Sequence, residues 1–298
     1  MDNQFKQNAL SWGDDGAKWI NRLPDMILEY EKKWEFKARK PFELNYNYVA
    51  PVDLLDGTKA VLKIGYPKNR EFQSEITALN TFNSTGICRL LKADHENAVI
   101  LIEQVIPGTV SGTIEDDDEA TRILASVMKK LRKPLPDNNS YISITEWASV
   151  IPEYKAKHAD DSLLPIHLLD KAEMLFNHLI QTSEEPVLLH GDLHHYNVLF
   201  SDERGWIAID PKGVAAEPAY EVTAMIRNPY DKIEEIADLQ PLLKRRIDIL
   251  SEELKFDKTR IRDWCFAQCI ISAIWSVEGV KGPNHALRVA KALDNLVI

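Results

Sequence analysis

Apolar residues in the first forty positions recur at roughly helical spacing. This spacing places them on one side of a helix and predicts a helical segment before any strand. Pro24 interrupts the pattern, and its missing N–H favours a break or a new first turn there. The residues that define the pattern are Trp12, Ile20, Leu23, Ile27, Tyr30 and Trp34.

The next stretch has the composition of β-strands. Residues 45–55 and 58–65 are rich in β-branched and aromatic residues, and Asp56-Gly57 separates them. An Asp-Gly between two such runs predicts a hairpin. Residues 70–82 then carry apolar positions at helical spacing and predict a helix. Two more strand-like runs follow, at residues 87–94 and 97–105. A Pro-Gly turn at residues 107–108 ends the second run.

Beyond this turn the pattern becomes mainly helical. The acidic run 115–119 opens a helix that ends at Lys129-Lys130, an arrangement that suits the helix macrodipole. The same acidic run also allows a cation site. Further helices are predicted at residues 144–157 and 163–181 and from about residue 229 onward, with a compact β segment at residues 186–213.

These segments predict an α+β protein with two lobes. The smaller lobe, residues 1–105, carries the N-terminal helices and an antiparallel sheet. The larger lobe, residues 106–298, is mainly helical.

Composition and charge narrow the class of protein. The chain has 298 residues, of which 45% are hydrophobic and 28% charged, as in ordinary globular proteins. Its net charge of -10 makes nucleic acid and anionic membrane poor partners, because an acidic surface repels phosphates. No apolar run approaches the roughly 20 residues that span a bilayer. The N-terminus lacks signal-peptide features, and the 3 cysteines form no paired motif, so we expect a reducing, cytoplasmic setting.

The segment His190–Asn197 (HGDLHHYN) carries the sharpest chemical signal. It lies between two apolar strands, and a later strand ends at Asp210. Asp192, Asn197 and Asp210 therefore lie on loops at strand ends, where side chains can converge. Phosphoryl transfer needs such a set, because one carboxylate orients the attacking hydroxyl while another, with an amide oxygen, holds Mg²⁺ on the ATP phosphates. The spacing from Asp192 to Asn197 matches the protein-kinase catalytic loop H-R-D-x-x-x-x-N, with glycine in place of arginine.

A lysine on a strand supplies the matching signal in the smaller lobe. Lys63 ends the run Ala60–Lys63 (AVLK), close to the V-A-I-K pattern, and Glu75 lies in the following helix. Such a lysine reaches the α- and β-phosphates when an ion pair with a helix glutamate holds it. Glu71, one turn earlier, competes with Glu75 for this position.

With these residues in this order, the sequence resembles the aminoglycoside phosphotransferase family of antibiotic kinases. The segments HGDLHHYNVLF, WIAIDPKG, EVTAMIRN and WCFAQCIISAIWSVE look closest to its streptomycin 6-phosphotransferase and hydroxyurea phosphotransferase branch. The resemblance covers most of the chain. It implies a protein-kinase-like two-lobed fold and ATP and Mg²⁺ as cofactors.

The resemblance also implies a role for each motif residue. Asp192 would be the catalytic base, and Asn197 and Asp210 would be the Mg²⁺ ligands. Lys63 would bind the ATP phosphates, with Glu75 as its partner.

The same family pattern places the nucleotide between a hinge and a phosphate-covering loop. The stretch from Glu103 to Val105 would be the hinge, where backbone groups bond adenine. Kinases cover the phosphates with a glycine-rich loop, but the equivalent residues 44–47 (LNYN) contain no glycine. Asparagine tolerates positive φ better than most residues, yet the phosphate contacts of this loop stay unassigned.

Several side chains near these motifs allow two interpretations. His190 either orders the catalytic loop through backbone hydrogen bonds or takes part in the chemistry. Lys212 either touches substrate or phosphate or pairs with a nearby acid. Glu278 either faces a cationic substrate or lies on a solvated helix face. His195 is a further candidate for a substrate-binding or supporting residue. Arg227, at the end of a predicted helix, favours a structural role.

A second class of site fits the histidines. His190, Asp192, His194 and His195 form a string that also suits zinc in a metal-dependent hydrolase. That interpretation leaves Lys63 and the Asp210 strand end unexplained.

By the same resemblance, we expect the acceptor of the phosphoryl group to be a small molecule with a hydroxyl. The nearest branch implies streptomycin or hydroxyurea, and a fructosamine-kinase-like metabolite kinase is the nearest alternative. A nucleotide-binding module without catalysis is the alternative outside enzymes, although the motif residues are intact. The sequence does not indicate an oligomeric state.

Overall fold

Two helices open the chain. The computed structural model describes residues 3–136, 141–159, 163–279 and 285–298, and within them α1 is Asn3–Leu10 and α2 is Gly13–Trp34. The expected break at Pro24 is wrong, because α2 continues through this residue. Leu23 and Met26 on either side of the proline are buried, so packing stabilises the helix despite the lost hydrogen bond.

A five-stranded antiparallel sheet follows, in the order β1-β2-β3-β5-β4. Its strands are β1 (Phe36–Ala38), β2 (Tyr48–Leu54), β3 (Lys59–Ile64), β4 (Leu90–Asp94) and β5 (Val99–Glu103). The hairpin predicted at Asp56-Gly57 joins β2 to β3, and Gly57 adopts a φ of 87° in this turn. The register of the hairpin places Val49 opposite Lys63.

Alternation along the strands divides the sheet between two apolar clusters. Leu62, Val99 and Leu101 point to the face that α1 and α2 cover. Ile100 and Ile102 point to the other face, which the helix α3 (Arg70–Phe82) covers. The helix itself lies where the sequence predicted one, at residues 70–82.

The second lobe combines short strands with helices. Its strands are β6 (Pro107–Val110), β7 (Lys133–Pro134), β8 (Ile142–Ser143), β9 (Val187–Leu189), β10 (Val198–Ser201), β11 (Gly205–Ala208) and β12 (Val214–Ala216). Its helices are α4 (Asp117–Leu131), α5 (Ile144–Ala148), α6 (Val150–Lys157), α7 (Ile166–Gln181), α8 (Thr223–Ile226), α9 (Tyr230–Glu235), α10 (Gln240–Leu254), α11 (Lys258–Glu278) and α12 (His285–Asp294).

Pro107-Gly108 begins a strand. We expected a turn that ends the preceding strand, but β5 already ends at Glu103. β6 then pairs antiparallel with β10, and β10 pairs with β11. The hydrogen bonds of this ladder explain why the segment is extended here.

The contacts of the acidic run 115–119 support its interpretation as the start of a helix. Asp116 caps α4 by accepting from the N–H of Asp118 at 2.9 Å. Asp118 also pairs with Arg245, and Asp117 pairs with the buried Arg246. These carboxylates therefore neutralise arginines of α10.

The larger apolar cluster extends across both lobes. Phe72 and Ile76 of α3 belong to the same cluster as Trp264 of α11. α3 of the first lobe therefore packs with the second lobe. The lobe boundary between residues 105 and 106 stays a prediction. Among the described residues, no helix has the length and apolarity needed to span a membrane.

Candidate active site

A buried lysine connects the two lobes. Lys63 on β3 places its Nζ atom 2.7 Å from both carboxylate oxygens of Glu75 on α3, and it also bonds Asp210. The side chains of Lys63 and Glu75 are only 7% and 6% exposed. Burial lowers the pKa of Lys63, but Asp210 and Glu75 raise it further, so its pKa lies above the ordinary value. The lysine is therefore a fixed positive charge between the lobes.

A second ion pair lies one turn along α3. Glu71 and Glu75 occupy positions i and i+4, which share one helix face. Glu75 holds Lys63, whereas Glu71 lies 3.0 Å from the Nζ atom of Lys212. The competition between the two glutamates is thus resolved, and Lys212 pairs with an acid in the structure.

Backbone contacts fix the turn that carries Asp192. The N–H groups of His190 and Gly191 donate to the carboxylate of Glu221 at 2.7 and 3.0 Å. Gly191 has a φ of 81°, and a Cβ atom there would lie 2.3 Å from the side chain of Val214. Only glycine fits this position without strain.

The imidazole of His190 bonds the backbone on both sides. Its Nε2 atom lies 2.8 Å from the carbonyl oxygen of Ile209, and its Nδ1 atom lies 3.3 Å from the N–H of Asp192. Burial lowers the pKa of His190 to about 4, which keeps the ring neutral near pH 7. These contacts support the loop-ordering interpretation of this residue.

Two basic side chains lie next to the carboxylate of Asp192: the guanidinium of Arg227 and the imidazole of His194, whose own pKa is lowered by burial. The carboxylate oxygens lie 3.4 Å from Nη2 of Arg227 and 3.8 Å from Nε2 of His194. Burial raises the pKa of Asp192, but His194, Arg227 and Lys212 lower it further, so its pKa lies below the ordinary value. Asp192 is therefore an anion near pH 7 and can accept a proton.

The β10–β11 hairpin brings the two metal-ligand candidates together. Asn197 directly precedes β10, Asp210 follows β11, and the register pairs Val198 with Ala208. The Nδ2 atom of Asn197 donates to the carbonyl oxygen of Asp192 at 3.0 Å, which leaves its Oδ1 atom as the possible ligand. Asp210 has a φ of 60°, a strained conformation that is common at functional sites. Burial raises the pKa of Asp210, but Lys63 and Lys212 hold it below its ordinary value.

Lys212 belongs to the same charged cluster. Besides Glu71, its ammonium interacts electrostatically with Asp210 and Asp192. Burial lowers the pKa of Lys212, but these carboxylates raise it above its ordinary value. The cluster thus contains a second fixed positive charge, next to the candidate base.

The hinge candidates differ in their contacts. The Glu103 carboxylate accepts from the Arg89 N–H at 2.9 Å and pairs with Arg204. The backbone of Val105 makes no hydrogen bond within the described part of the chain. Its N–H and C=O therefore have the capacity to bind a ligand.

The structure does not bring two candidates into the cluster. His195 is 1% exposed, and both its ring nitrogens are without a hydrogen-bond partner in the described residues. Its backbone oxygen accepts from Ser111 at 2.9 Å. Glu278 lies 2.7 Å from Lys157 and 3.8 Å from His158, which supports the interpretation as a charged helix end.

The zinc alternative has no geometric support. Across the described ranges, no group of three or more His, Cys, Asp or Glu side chains is placed to hold a metal ion. The His190 ring already bonds the backbone of the loop, and the His195 ring is buried apart from it.

Two residues of the site were missed by sequence reasoning. Arg227 does bond the carbonyl of Thr223 in its helix, as expected of a structural residue, but it also reaches Asp192. Glu221 anchors the turn before Asp192. Both residues lie in the segment EVTAMIRN, so the family resemblance of that segment was the signal that could have identified them.

The fold and this charged cluster define a phosphotransferase with an alcohol group as acceptor and a protein-kinase-like architecture. The chain belongs to the family described as aminoglycoside/hydroxyurea antibiotic resistance kinase, which matches residues 35–279. The enzyme class and the family resemblance predicted from the sequence are confirmed.

Individual relatives agree with this assignment. A streptomycin 6-kinase from Streptomyces glaucescens is 30% identical over 274 residues, 91% of this chain and 88% of the relative. A hydroxyurea phosphotransferase from Kitasatospora aureofaciens is 28% identical over 289 residues, 94% of this chain and 82% of the relative. The structure of a thermostable aminoglycoside phosphotransferase with ADP and hygromycin B has a TM-score of 0.59 and 12% identity, and the match covers 90% of this chain and 95% of that one. The predicted two-lobed kinase-like fold is thereby confirmed.

Proposed function

We propose that this protein is an ATP- and Mg²⁺-dependent kinase that transfers the γ-phosphoryl group to a hydroxyl of an aminoglycoside of the streptomycin type. One observation carries the proposal. Lys63 pairs with Glu75 and also bonds Asp210, although 147 residues separate Lys63 from Asp210 along the chain. In kinases, a strand lysine held by a helix glutamate positions the ATP phosphates, and an aspartate of the other lobe holds Mg²⁺ on them.

The smaller lobe would bind the nucleotide. The ammonium of Lys63 contacts the α- and β-phosphates, and Glu75 fixes its direction. The backbone of Val105, at the hinge that starts at Glu103, bonds the adenine edge. Because these contacts leave the substrate hydroxyl untouched, they position the nucleotide rather than activate the acceptor.

Asp192 would act on the acceptor. Its carboxylate is anionic and accepts a hydrogen bond from the substrate hydroxyl, which orients the oxygen toward the γ-phosphorus. As the new P–O bond forms and the bond to ADP breaks, the hydroxyl proton passes to Asp192. His190 and Glu221 keep the turn in place, so they are positioning residues.

The residues around Asp210 fit a magnesium ion. One carboxylate and the free amide oxygen of Asn197 are hard oxygen donors of the kind that Mg²⁺ prefers. Asn197 and Asp210 would hold the ion together with phosphate oxygens. When bound, the ion would neutralise the negative charge that develops on those oxygens.

Lys212 would contribute to the same electrostatic field. Its interactions with Asp192 and Asp210 place a positive charge close to both. A charge fixed in advance stabilises the transferring phosphoryl group without reorganisation. Glu71 holds Lys212 in this place, as Glu75 holds Lys63.

The identity of the acceptor rests on the family. The matched family names aminoglycosides and hydroxyurea, and the relatives above include a streptomycin 6-kinase and a hydroxyurea phosphotransferase. An aminoglycoside is cationic at neutral pH, and the chain carries a net charge of -10, which attracts such a substrate. Hydroxyurea is the second candidate, because its relative covers a similar share of the chain.

A phosphotransfer screen with mass-spectrometric detection tests the proposal. The protein is incubated with Mg-ATP and streptomycin, other aminoglycosides, hydroxyurea, fructosamines or choline. We expect a phosphorylated streptomycin that is absent with Asp192→Asn and retained with Asp25→Asn, a matched change on the exposed face of α2.

Other results of the screen point to other functions. A product from hydroxyurea alone would replace the acceptor and keep the mechanism. A fructosamine product would favour the metabolite-kinase alternative, which the family match does not support. Binding of Mg-ATP without any turnover, water included, would favour a module without catalysis.

A further inference from the structure

Residues 44–47, the loop that would cover the nucleotide, are hydrogen-bonded to the N-terminal helix α1. We infer that Asn8 of α1 is a positioning residue that orders residues 44–47 for binding the ATP phosphates. The inference rests on the proposed function, since it assumes that the small lobe binds Mg-ATP. It assigns a function to helices that precede the matched family residues 35–279.

The loop lies directly beyond the lysine that would bind the phosphates. β1 and β2 continue their pairing past the end of β1, where the N–H of Phe42 donates to the Val49 carbonyl at 3.0 Å. Val49 lies opposite Lys63 in the register. Asn47 is two positions before Val49, so its backbone lies within roughly 7 Å of this pair along the strand direction. The loop therefore leaves the sheet at the same end of the β2–β3 hairpin as Lys63.

Asn8 connects α1 to this loop. Its Nδ2 atom donates to the backbone oxygen of Asn45 at 3.0 Å and to the Oδ1 atom of Asn45 at 2.8 Å. Its own Oδ1 atom accepts from Gln4 at 3.0 Å. Asn8 is only 6% exposed, whereas Asn45 is exposed. A buried amide bonded at both ends gives the loop a single preferred position, because unpaired amide atoms are costly in this setting.

The helix that carries Asn8 is itself fixed. A Cβ atom at Gly16 of α2 would lie 1.9 Å from the carbonyl oxygen of Ala9, so α1 and α2 cross in close contact. Phe5 of α1 is fully buried in the cluster under the sheet. The N-terminal helices are thus a rigid base rather than a loose extension.

The same base also holds the segment that follows β3. Trp12 stacks on Tyr66 with a ring-centroid distance of 4.7 Å. Asp15 of α2 pairs with Lys68 at 2.6 Å. The helices therefore contact the chain on both sides of β2–β3, which is the region that would surround the triphosphate.

This arrangement accounts for a loop without glycine. A glycine-rich loop approaches phosphates closely but loses much conformational entropy when it becomes ordered. Residues 44–47 lack that freedom, and Asn8 orders them before the nucleotide arrives. Ordering in advance increases affinity, because less entropy is lost on binding.

Nucleotide binding to the full chain tests the inference. The dissociation constants of Mg-ATP and of adenosine, which has no phosphates, are measured by calorimetry for the wild type, Asn8→Ala and Asn45→Ala. We expect Mg-ATP to bind about five- to tenfold more weakly to Asn8→Ala and adenosine to change less than twofold. The value of kcat at saturating ATP should change less than twofold, with the loss in the KM for ATP.

Two comparisons separate positioning from folding. Gln7→Ala removes an exposed amide from the same helix and should leave both constants unchanged. Asn45→Ala alters an exposed loop residue and cannot open the core, and the double variant should bind Mg-ATP no more weakly than Asn8→Ala.

Three results would overturn the inference. They are unchanged Mg-ATP affinity in both single variants, equal weakening of Mg-ATP and adenosine, and additive losses in the double variant. A wild type that binds no Mg-ATP would instead overturn the proposed function, and the inference with it.

Discussion

At the scale of single residues, the groups around Asp192 determine the charge state of its carboxylate. Arg227 lies 3.4 Å from its carboxylate and contributes, with His194, to the lowered pKa of Asp192. A base with a lowered pKa stays deprotonated into the acid range, so activity should be lost only as the pH falls through that low value.

Replacement of Arg227 should move this limit. In Arg227→Met the pKa of Asp192 rises, and the acid limb of the kcat/KM profile should shift upward by about one pH unit. The profile is measured from the lowest pH at which all three proteins stay folded up to pH 8, with the acceptor found in the screen. Arg227→Lys keeps the charge and should shift the limb less. Superimposable acid limbs in all three proteins would contradict this role of Arg227.

Asp210 is expected to control the use of magnesium. In Asp210→Asn one anionic ligand is lost, so the Mg²⁺ concentration for half-maximal activity should rise at least about tenfold. A magnesium titration at fixed ATP measures this value. Asp202→Asn, at an exposed position of the same hairpin, should behave like the wild type. An unaltered magnesium titration in Asp210→Asn would remove Asp210 from the set of ligands.

At the scale of secondary-structure elements, the position of α3 determines where Glu71 and Glu75 lie. Ser74 donates to the carbonyl of Gly213 at 2.7 Å, so α3 contacts the segment that follows Asp210. Gly213 has a φ of 66°, and a Cβ atom there would lie within 2.8 to 2.9 Å of Ser74 and Ala78. This contact sets the distance of Glu71 and Glu75 from their lysines.

Gly213→Ala should therefore displace α3. We expect a loss of about 2 to 4 kcal/mol in the free energy of unfolding and a higher KM for ATP, because both positive φ and overpacking are costly. Gly205→Ala is a matched control, since Gly205 has a φ of 67° and no atom within 4 Å of a Cβ. It should lose only about 1 kcal/mol. Urea unfolding measures both, and equal losses would argue against a tight contact at Gly213.

The order of motif residues was visible in the sequence, but their contacts were not. Lys63, Glu75, Asp192, Asn197 and Asp210 were identified from strand ends and spacing. The structure brings Lys63, Glu75 and Asp210 into contact and joins Asn197 to the Asp192 backbone. Their catalytic roles stay proposals.

Contacts between distant segments explain what the sequence could not predict. Glu71 and Lys212 are 141 residues apart, and only tertiary packing decides that they pair. Local rules were also overridden by packing at Pro24, which lies inside α2, and at Pro107, which begins a ladder with β10.

At the scale of the whole molecule, the free energy of unfolding should depend on the titration of Glu221. Burial raises the pKa of Glu221 from the ordinary 4.5 to about 7. Between pH 4.5 and about pH 7, Glu221 is therefore protonated in the folded protein but ionised in the unfolded chain. The resulting stability is complete below pH 4.5 and is lost as the pH rises through about 7.

A comparison with Glu221→Gln isolates this effect. Glutamine is neutral throughout, so between pH 5 and pH 8 the wild type should lose on the order of 2 kcal/mol more unfolding free energy than the variant. Urea unfolding at both pH values provides the numbers. Parallel pH dependences would show that the carboxylate is already ionised in the folded protein at pH 5.

The apolar cluster that α3 shares with α11 determines how the chain behaves when it is divided. A cut between Glu103 and Pro107 would separate Phe72 and Ile76 from Trp264, so each fragment would expose part of a common interior. The first fragment would keep the whole cluster beneath α1 and α2 but only the part of the shared cluster that α3 and the sheet contribute. We therefore expect neither half to fold on its own, and we expect the halves to regain activity only by complementation, when they are produced together.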